Sequence, residues 1–408
     1  MSEVARHAVV VGAGIGGLTA AVALHRAGWR VTVCERSAGP AAVGAGIVLA
    51  PNALRAFDAI GFDAARVAGG TVPAAMGVRR PDGRWLSRAD TAALTARYGR
   101  PPLAVHRSAL TGALAAALPD GTVRHAMAVT SVLDPDGRDP LVRTSGGELT
   151  ADVVIAADGI HSPLRRQYFP DHPGLRHSGE TAWRTVLPPA HGTGAGGAGA
   201  PAAAETWGRG ERFGVVPLAD GRVYVYATAV APEGYRPDDV IAELRRRFGH
   251  WHDPIPEIIA RIDPAAVLRH DLYDLATALP RYHRGRLAWI GDAAHAMTPN
   301  LGQGGCQAIE DAVVLARLLE RTARADVPAA VAAYSRARLA RTDAIRVRAR
   351  RAGRFAAVTH PLAAAARDLA VRATPERVAL RALDSLFDGF VLPARPATGG
   401  APPRARAQ

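Results

Sequence analysis

The sequence predicts an α/β fold: a Rossmann-type nucleotide-binding unit, interrupted by an antiparallel sheet and followed by C-terminal helices. Three observations carry this. The apolar run at 8–11 closes directly on Gly12, Gly14 and Gly17 and then on an apolar helix. A second buried strand, RLAWIG at 286–291, leads into another glycine-rich turn and a long helix. Between them, residues 176–230 alternate as antiparallel strands do, RVYVYATAV most clearly.

Taken in order, the first strand delivers a G-x-G-x-x-G turn, Gly12-Ala13-Gly14-Ile15-Gly16-Gly17. The first glycine allows the tight turn, the second lets backbone approach a pyrophosphate, and the third lets the helix at 18–27 pack close to the strand. The helix start offers free N–H groups and a positive dipole end to phosphates. The strand at 29–34 then delivers Glu35 and Arg36, with the carboxylate placed for a ribose hydroxyl pair. A loop containing Gly46 feeds a further helix, and residues 71–100 read as strand–turn–strand with Asp82-Gly83 at the turn. VHRSALTGALAAAL is a helix beginning at 106–108, and 122–157 holds short strands ending in VVIAA. DDVIAELRRRF and IPEIIARI are helices, the long helix begins at about Gln303, and 356–390 is helical. The stretch with Gly192, Gly194 and Gly197 repeats the glycine spacing but follows no strand, so it reads as a low-complexity loop.

Composition narrows the function. The 408 residues have room for two domains. The four glycines of the first motif argue against a signal peptide, and no apolar run is long enough to span a membrane. Cys34 and Cys306 give neither a disulfide framework nor metal spacing, so no metal is expected and a cytoplasmic location is. The net charge is +13, yet all 50 basic residues are arginine and they are dispersed, so no nucleic-acid partner is expected. The arginine-rich segment 336–354 reads as a helix with one solvated basic face. Without lysine, Schiff-base and P-loop chemistry are excluded.

Four motifs in order resemble the single-component FAD-dependent monooxygenases of the aromatic hydroxylase type, over roughly residues 6–350. They are the glycine turn with Glu35-Arg36, VHRSAL with Arg107, IAADGIHSPLRR with Asp158, and GDAAHAMTPNLGQGG with Asp292, Pro299, Gly302, Gly304 and Gly305. In motif style the nearest members are urate hydroxylase-like and zeaxanthin epoxidase-like. The resemblance implies a three-layer fold of the para-hydroxybenzoate hydroxylase type. It assigns residues 1–70, 101–175 and 270–350 to a discontinuous FAD-binding domain, and 71–100 and 176–269 to a substrate-binding sheet domain. A helical segment at 351–392 and a disordered tail at 393–408 complete the chain. Gly12 to Gly17, Glu35, Arg36, Gly46, Arg107, Asp158, Asp292, Pro299, Gly302, Gly304 and Gly305 are the implied FAD contacts. A strand-end Asp158 is equally placed to cap the helix after it. Arg212 and Tyr224 fall on the implied active-site arginine and tyrosine, and Arg184 lies on a neighbouring strand.

The implied reaction uses NADH or NADPH as transient donor and dioxygen as co-substrate. A flavin hydroperoxide hydroxylates a small aromatic or heteroaromatic compound. An arginine such as Arg184 or Arg212 favours the substrate anion. Alkene epoxidation is the alternative within the class, and a non-catalytic flavin-binding regulatory protein is the alternative outside it. A monomer or homodimer is expected. Cys306 stands where many relatives carry asparagine and reads as a small helix-start residue, although a helix N-terminus can depress a thiol.

Overall fold

A computed structural model describes residues 6–40, 45–189 and 202–394. The loop with Gly192, Gly194 and Gly197 and residues 395–408 of the tail lie outside the described residues.

Two large sheets organise the molecule. The first has the strand order His283–Arg284, Leu287–Trp289, Val153–Ala156, His7–Val11, Arg30–Cys34, Val123–Arg124. All its pairings are parallel except that of the first two strands. Its central strands are buried throughout, which is why they read as unbroken apolar runs and not as alternation. Helices Ile15–Arg26 and Gly304–Leu319 pack together, with the Gly16 Cβ position 3.1 Å from the Ala308 methyl. Trp289, fully buried, receives Tyr168 and Phe169 edge-on at 5.7 and 5.0 Å.

The second sheet has the order Leu268–Leu275, Leu175–Leu187, Val223–Val230, Glu211–Pro217, Ala203–Trp207, Ala75–Arg79, Trp85–Asp90. It is antiparallel except where Ala203–Trp207 meets Ala75–Arg79. Alternation divides its two faces. Trp183, Phe213, Val225, Ala227 and Ala229 form a core with Leu244, Phe248, Ile255 and Ile259 of two covering helices and Trp251 between them. The opposite face turns towards the ribbon of Gly46–Leu49 and Leu103–His106, where Tyr224, Val216 and Ala203 cluster with Val48 and Ala104.

Three sequence expectations need correction. The first helix starts at Ile15, because Ile15 is itself buried and Gly14 already adopts the extended conformation of a cap. The 71–100 stretch also contains a helix, Thr91–Tyr98, ended by Gly99 in the left-handed region (φ 76°). The arginine-rich helix, Val327–Ala356, is not basic only towards solvent: Arg338 and Arg346 are 2 % and 4 % exposed, Arg338 paired with buried Glu310 and Asp311 and Arg346 with Asp343 of its own helix.

Candidate functional site

Four segments distant in sequence meet at the carboxyl ends of adjacent strands of the first sheet. Gly291-Asp292 follows Leu287–Trp289, Asp158-Gly159 follows Val153–Ala156, Gly12 to Gly17 follow His7–Val11, and Glu35-Arg36 follow Arg30–Cys34. Strand order reverses about the first strand, and such a switch point opens a ligand crevice.

The glycines there answer to geometry. Gly12 has φ 103°, and a Cβ on it would lie 2.5 Å from the Ala157 carbonyl oxygen. A Cβ on Gly17 would stand 2.0 Å from the Gly12 carbonyl oxygen. A Cβ on Gly14 would meet nothing within 4 Å, which leaves open space beside that peptide. The Ala13 and Ser37 N–H groups each donate to the Glu35 carboxylate at 2.8 Å. Burial alone would raise its pKa, but these bonds outweigh it and hold the group ionised below its ordinary value. Arg36 is exposed beside it.

The second half of the crevice comes from the later motifs. Asp158 Oδ2 accepts from the Ser162 hydroxyl at 2.7 Å and the Leu164 N–H at 3.3 Å, which steadies helix Pro163–Tyr168. Its Oδ1 is buried without a hydrogen-bond partner, and burial pushes its pKa up. Arg165 donates to the Asp292 and Ala293 carbonyls, tying the Asp158 loop to the Asp292 turn. Asp292 itself is exposed, its carboxylate 3.8 Å from the Cβ position of Gly304. Pro299 opens a short 3-10 turn and is exposed. Gly302 ends that turn with φ 62°, so the long helix starts at Gly304 and not at Gly302. No side chain caps that helix or Ile15–Arg26, and both leave first-turn N–H groups available. A Cβ on Gly305 would stand 2.7 Å from Ile47. Arg107 begins its helix with an exposed side chain while its N–H donates to the Ala45 carbonyl at 3.0 Å. Cys306 is buried and its thiol is pushed up to about 12, so burial overrides the helix end and the thiol is inert.

On the second sheet, Arg184, Arg212 and Tyr224 share the face turned towards this crevice. The Tyr224 ring occupies the place a Cβ on Gly46 would need, 2.6 Å away. Arg212 is 3 % exposed: it donates to Glu180 at 2.6 Å, to Glu205 at 3.3 Å and to the Asn300 side chain at 2.6 Å, while its Nε is buried without a partner among the described residues. Two carboxylates therefore neutralise it, which corrects its expected part as a free partner for a substrate anion. Arg212→Ala would strand both carboxylates, and a loss of about 3–5 kcal/mol is expected in chemical denaturation.

Beneath the crevice lies a buried network that sequence reasoning missed. Arg338 donates to Asp311, Glu310 and Gln307, each at 2.6 Å. Asp311 also accepts from the Gly291 N–H at 2.9 Å and pairs with His295 at 2.6 Å. Glu310 takes Asn52 at 2.7 Å and Arg341 at 2.9 Å. The signal was an acidic pair, Glu310-Asp311, inside an otherwise apolar helix. Burial alone would raise the Asp311 pKa, but His295 and Arg338 hold it at about 2 against the ordinary 3.8. A depressed carboxylate stabilises the fold above its unfolded value and loses that contribution as pH falls through the folded one. Cofactor fluorescence should therefore report release between pH 3.8 and about 2, and an Asp311→Asn variant should lose this transition.

The fold and the crevice define a nucleotide-binding protein whose second sheet meets the crevice through the Arg212–Asn300 bond. The chain belongs to the FAD binding domain family, which it matches over residues 6–349. It is 40% identical over 338 residues to an aurachin C monooxygenase/isomerase from Stigmatella aurantiaca, covering 82% of this chain and 85% of the relative. It is 35% identical to a 2-heptyl-3-hydroxy-4(1H)-quinolone synthase from Pseudomonas aeruginosa, covering 93% and 97%. Klebsiella pneumoniae HpxO, solved with FAD and uric acid, superposes with a TM-score of 0.84 at 29% identity over 94% of this chain and 96% of that one. The chain is an FAD-dependent monooxygenase, an oxidoreductase of the class A flavoprotein type. Among the described residues no helix is long and apolar enough to cross a membrane, and no His/Cys/Asp/Glu group is arranged for a metal.

The residues accommodate FAD on the structure's own terms: open space at Gly14, a fixed carboxylate at Glu35, an unpartnered Asp158 oxygen, and two uncapped helix ends. Asp292→Ala removes an exposed carboxylate whose side chain accepts no hydrogen bond among the described residues. Purified FAD occupancy should fall several-fold with the apoprotein fold intact by circular dichroism; full occupancy and turnover would remove Asp292 from the site.

Proposed function

We propose that this monooxygenase takes electrons from NADH or NADPH and uses dioxygen to hydroxylate a small heteroaromatic compound held between the second sheet and the Pro299–Gly305 loop. The carrying observation is the direct bond from Arg212 to Asn300, which joins the sheet face of Tyr224 and Arg184 to the loop beside Pro299. The quinolone and uric acid in the relatives' names support the substrate class. We further propose the domain division given above, with the boundary at 269 moved to include strand Leu268–Leu275, which pairs in the second sheet, and a cytoplasmic location, in keeping with two free cysteines.

When bound, FAD supplies two-electron redox chemistry and activation of dioxygen. The chain holds and shields it. Gly12 to Gly17 with the first helix end would hold the pyrophosphate, and Glu35 the adenosine ribose. Arg107 and Asp292 hold the ribityl–phosphate portion. The first-turn N–H groups of helix Gly304–Leu319 would offer a positive dipole end to the bound cofactor. Tyr224 and Tyr226 keep their phenols protonated: burial raises both, and in Tyr226 the neighbouring Glu205 adds to it. They act as neutral donors and apolar walls that keep water from the reacting atoms.

The test is anaerobic flavin reduction by NADH and by NADPH, with and without quinolones, purines, phenols and aromatic acids. A large acceleration by one heteroaromatic compound is expected. Reduction by neither nucleotide under any condition would overturn the reading and favour a flavin-binding protein without turnover.

A further inference from the structure

We infer that Glu205 and Arg184 select the substrate, as hydrogen-bond acceptor at one end and donor at the other, so the site takes a neutral planar heterocycle bearing both an N–H and a carbonyl. This rests on the reading that the Tyr224 face receives the substrate. The two residues lie in one register row across four strands: Arg184 pairs with Tyr226, Tyr226 with Gly214, and Gly214 with Glu205. Three strand spacings separate the ends, about 14 Å between backbones. Both side chains stand on the face that carries the Tyr226 ring, so a ligand spanning them would lie over that ring.

The floor of that row is flat because Gly214 has no side chain. A Cβ there would stand 2.1 Å from the Tyr226 ring, so the ring lies across Gly214 and its hydroxyl donates to Glu205 at 2.9 Å. Glu205 is the exposed member of the Arg212 cluster, its side chain 22 % accessible against 4 % and 5 % for Arg212 and Glu180. One arginine and two carboxylates leave an excess negative charge, and Glu205 presents it. At the other end Arg184 is half-buried with no ion pair or hydrogen bond to its side chain among the described residues. Arg212 is a positioning residue: it fixes Glu205 and Asn300 and does not meet the substrate. A ring carrying a carboxylate is repelled at the Glu205 end, whereas a ring N–H finds a charge-assisted acceptor there.

The test titrates FAD-loaded enzyme with 4(1H)-quinolone, which has the N–H and the carbonyl, and with quinoline-4-carboxylate, an anion without the N–H, following the flavin absorption band. Wild type should bind the quinolone at least about ten-fold more tightly. Glu205→Gln, isosteric and still able to hold Tyr226, should raise the quinolone Kd about ten-fold and narrow the preference, with FAD content unchanged. Arg184→Met should weaken the quinolone without affecting FAD. Equal or reversed preference in wild type, or a Glu205→Gln variant that binds both probes as wild type does, overturns the inference alone. No response to either probe, together with no substrate-accelerated reduction, overturns the substrate-face reading and the inference with it.

Discussion

Replacing Arg338 by methionine should destabilise the protein by about 3–5 kcal/mol, because it leaves two buried carboxylates short of their main counter-charge. Arg338 is 2 % exposed, and Glu310 and Asp311 have no exposure at all. Methionine matches the length of the stem but supplies none of the three hydrogen bonds to Asp311, Glu310 and Gln307. The remaining partners, Arg341 and His295, compensate in part. The same network holds the Gly291 N–H through Asp311, so the variant should also release FAD more readily. Thermal melting followed by flavin fluorescence measures both effects. A triple replacement of Arg338, Glu310 and Asp311 by apolar residues of similar volume should recover much of the lost stability. A melting temperature unchanged by Arg338→Met alone would show that the ion network is incidental.

The second large effect is expected at Gly17. Its alanine variant places a methyl 2.0 Å from the Gly12 carbonyl oxygen, a backbone atom that cannot swing aside. The glycine turn must open, and the protein should purify largely without FAD. Gly14→Ala makes a sharp comparison. Its methyl meets no protein atom within 4 Å, so the apoprotein should melt as wild type does while FAD affinity falls. Equal FAD retention in both variants would show that the cofactor does not approach this turn.

The cofactor side was legible because its requirements are local. A strand ending in a turn that only glycine can make, followed by a helix whose third glycine packs on the turn, writes itself into consecutive residues. The support Asp158 gives to the helix after it was legible, since its partners Ser162 and Leu164 lie within six positions of it, although the N-cap itself is Ser162. The buried strands were readable from apolar runs and the second sheet from alternation. The short helix Thr91–Tyr98 was not, because eight residues carry too little periodicity to compete with a strand pattern.

The polar interior was hidden for the opposite reason. Arg338 looks like any other arginine in a basic helix, and nothing within a few residues reveals carboxylates at Glu310 and Asp311 from another helix. Arg212 was found by its place in a hairpin, yet its role turned on Glu180, 32 residues upstream. Charge compensation is a pairwise property of space, and a sequence states only the members.

The sequence by itself determined the fold class and the glycine turn with Glu35 at the end of the next strand. These depend on backbone sterics and on neighbours within one strand–turn–helix unit. Only the tertiary structure decided which charges are free. It paired Arg212 with Glu180 and Glu205, left Glu205 facing Arg184 across one row, and locked Arg338 beneath the Asp292 turn. The physical reason is that burial makes an unpaired charge prohibitive. Partners must therefore converge from distant segments, and only the packed chain shows which of them meet.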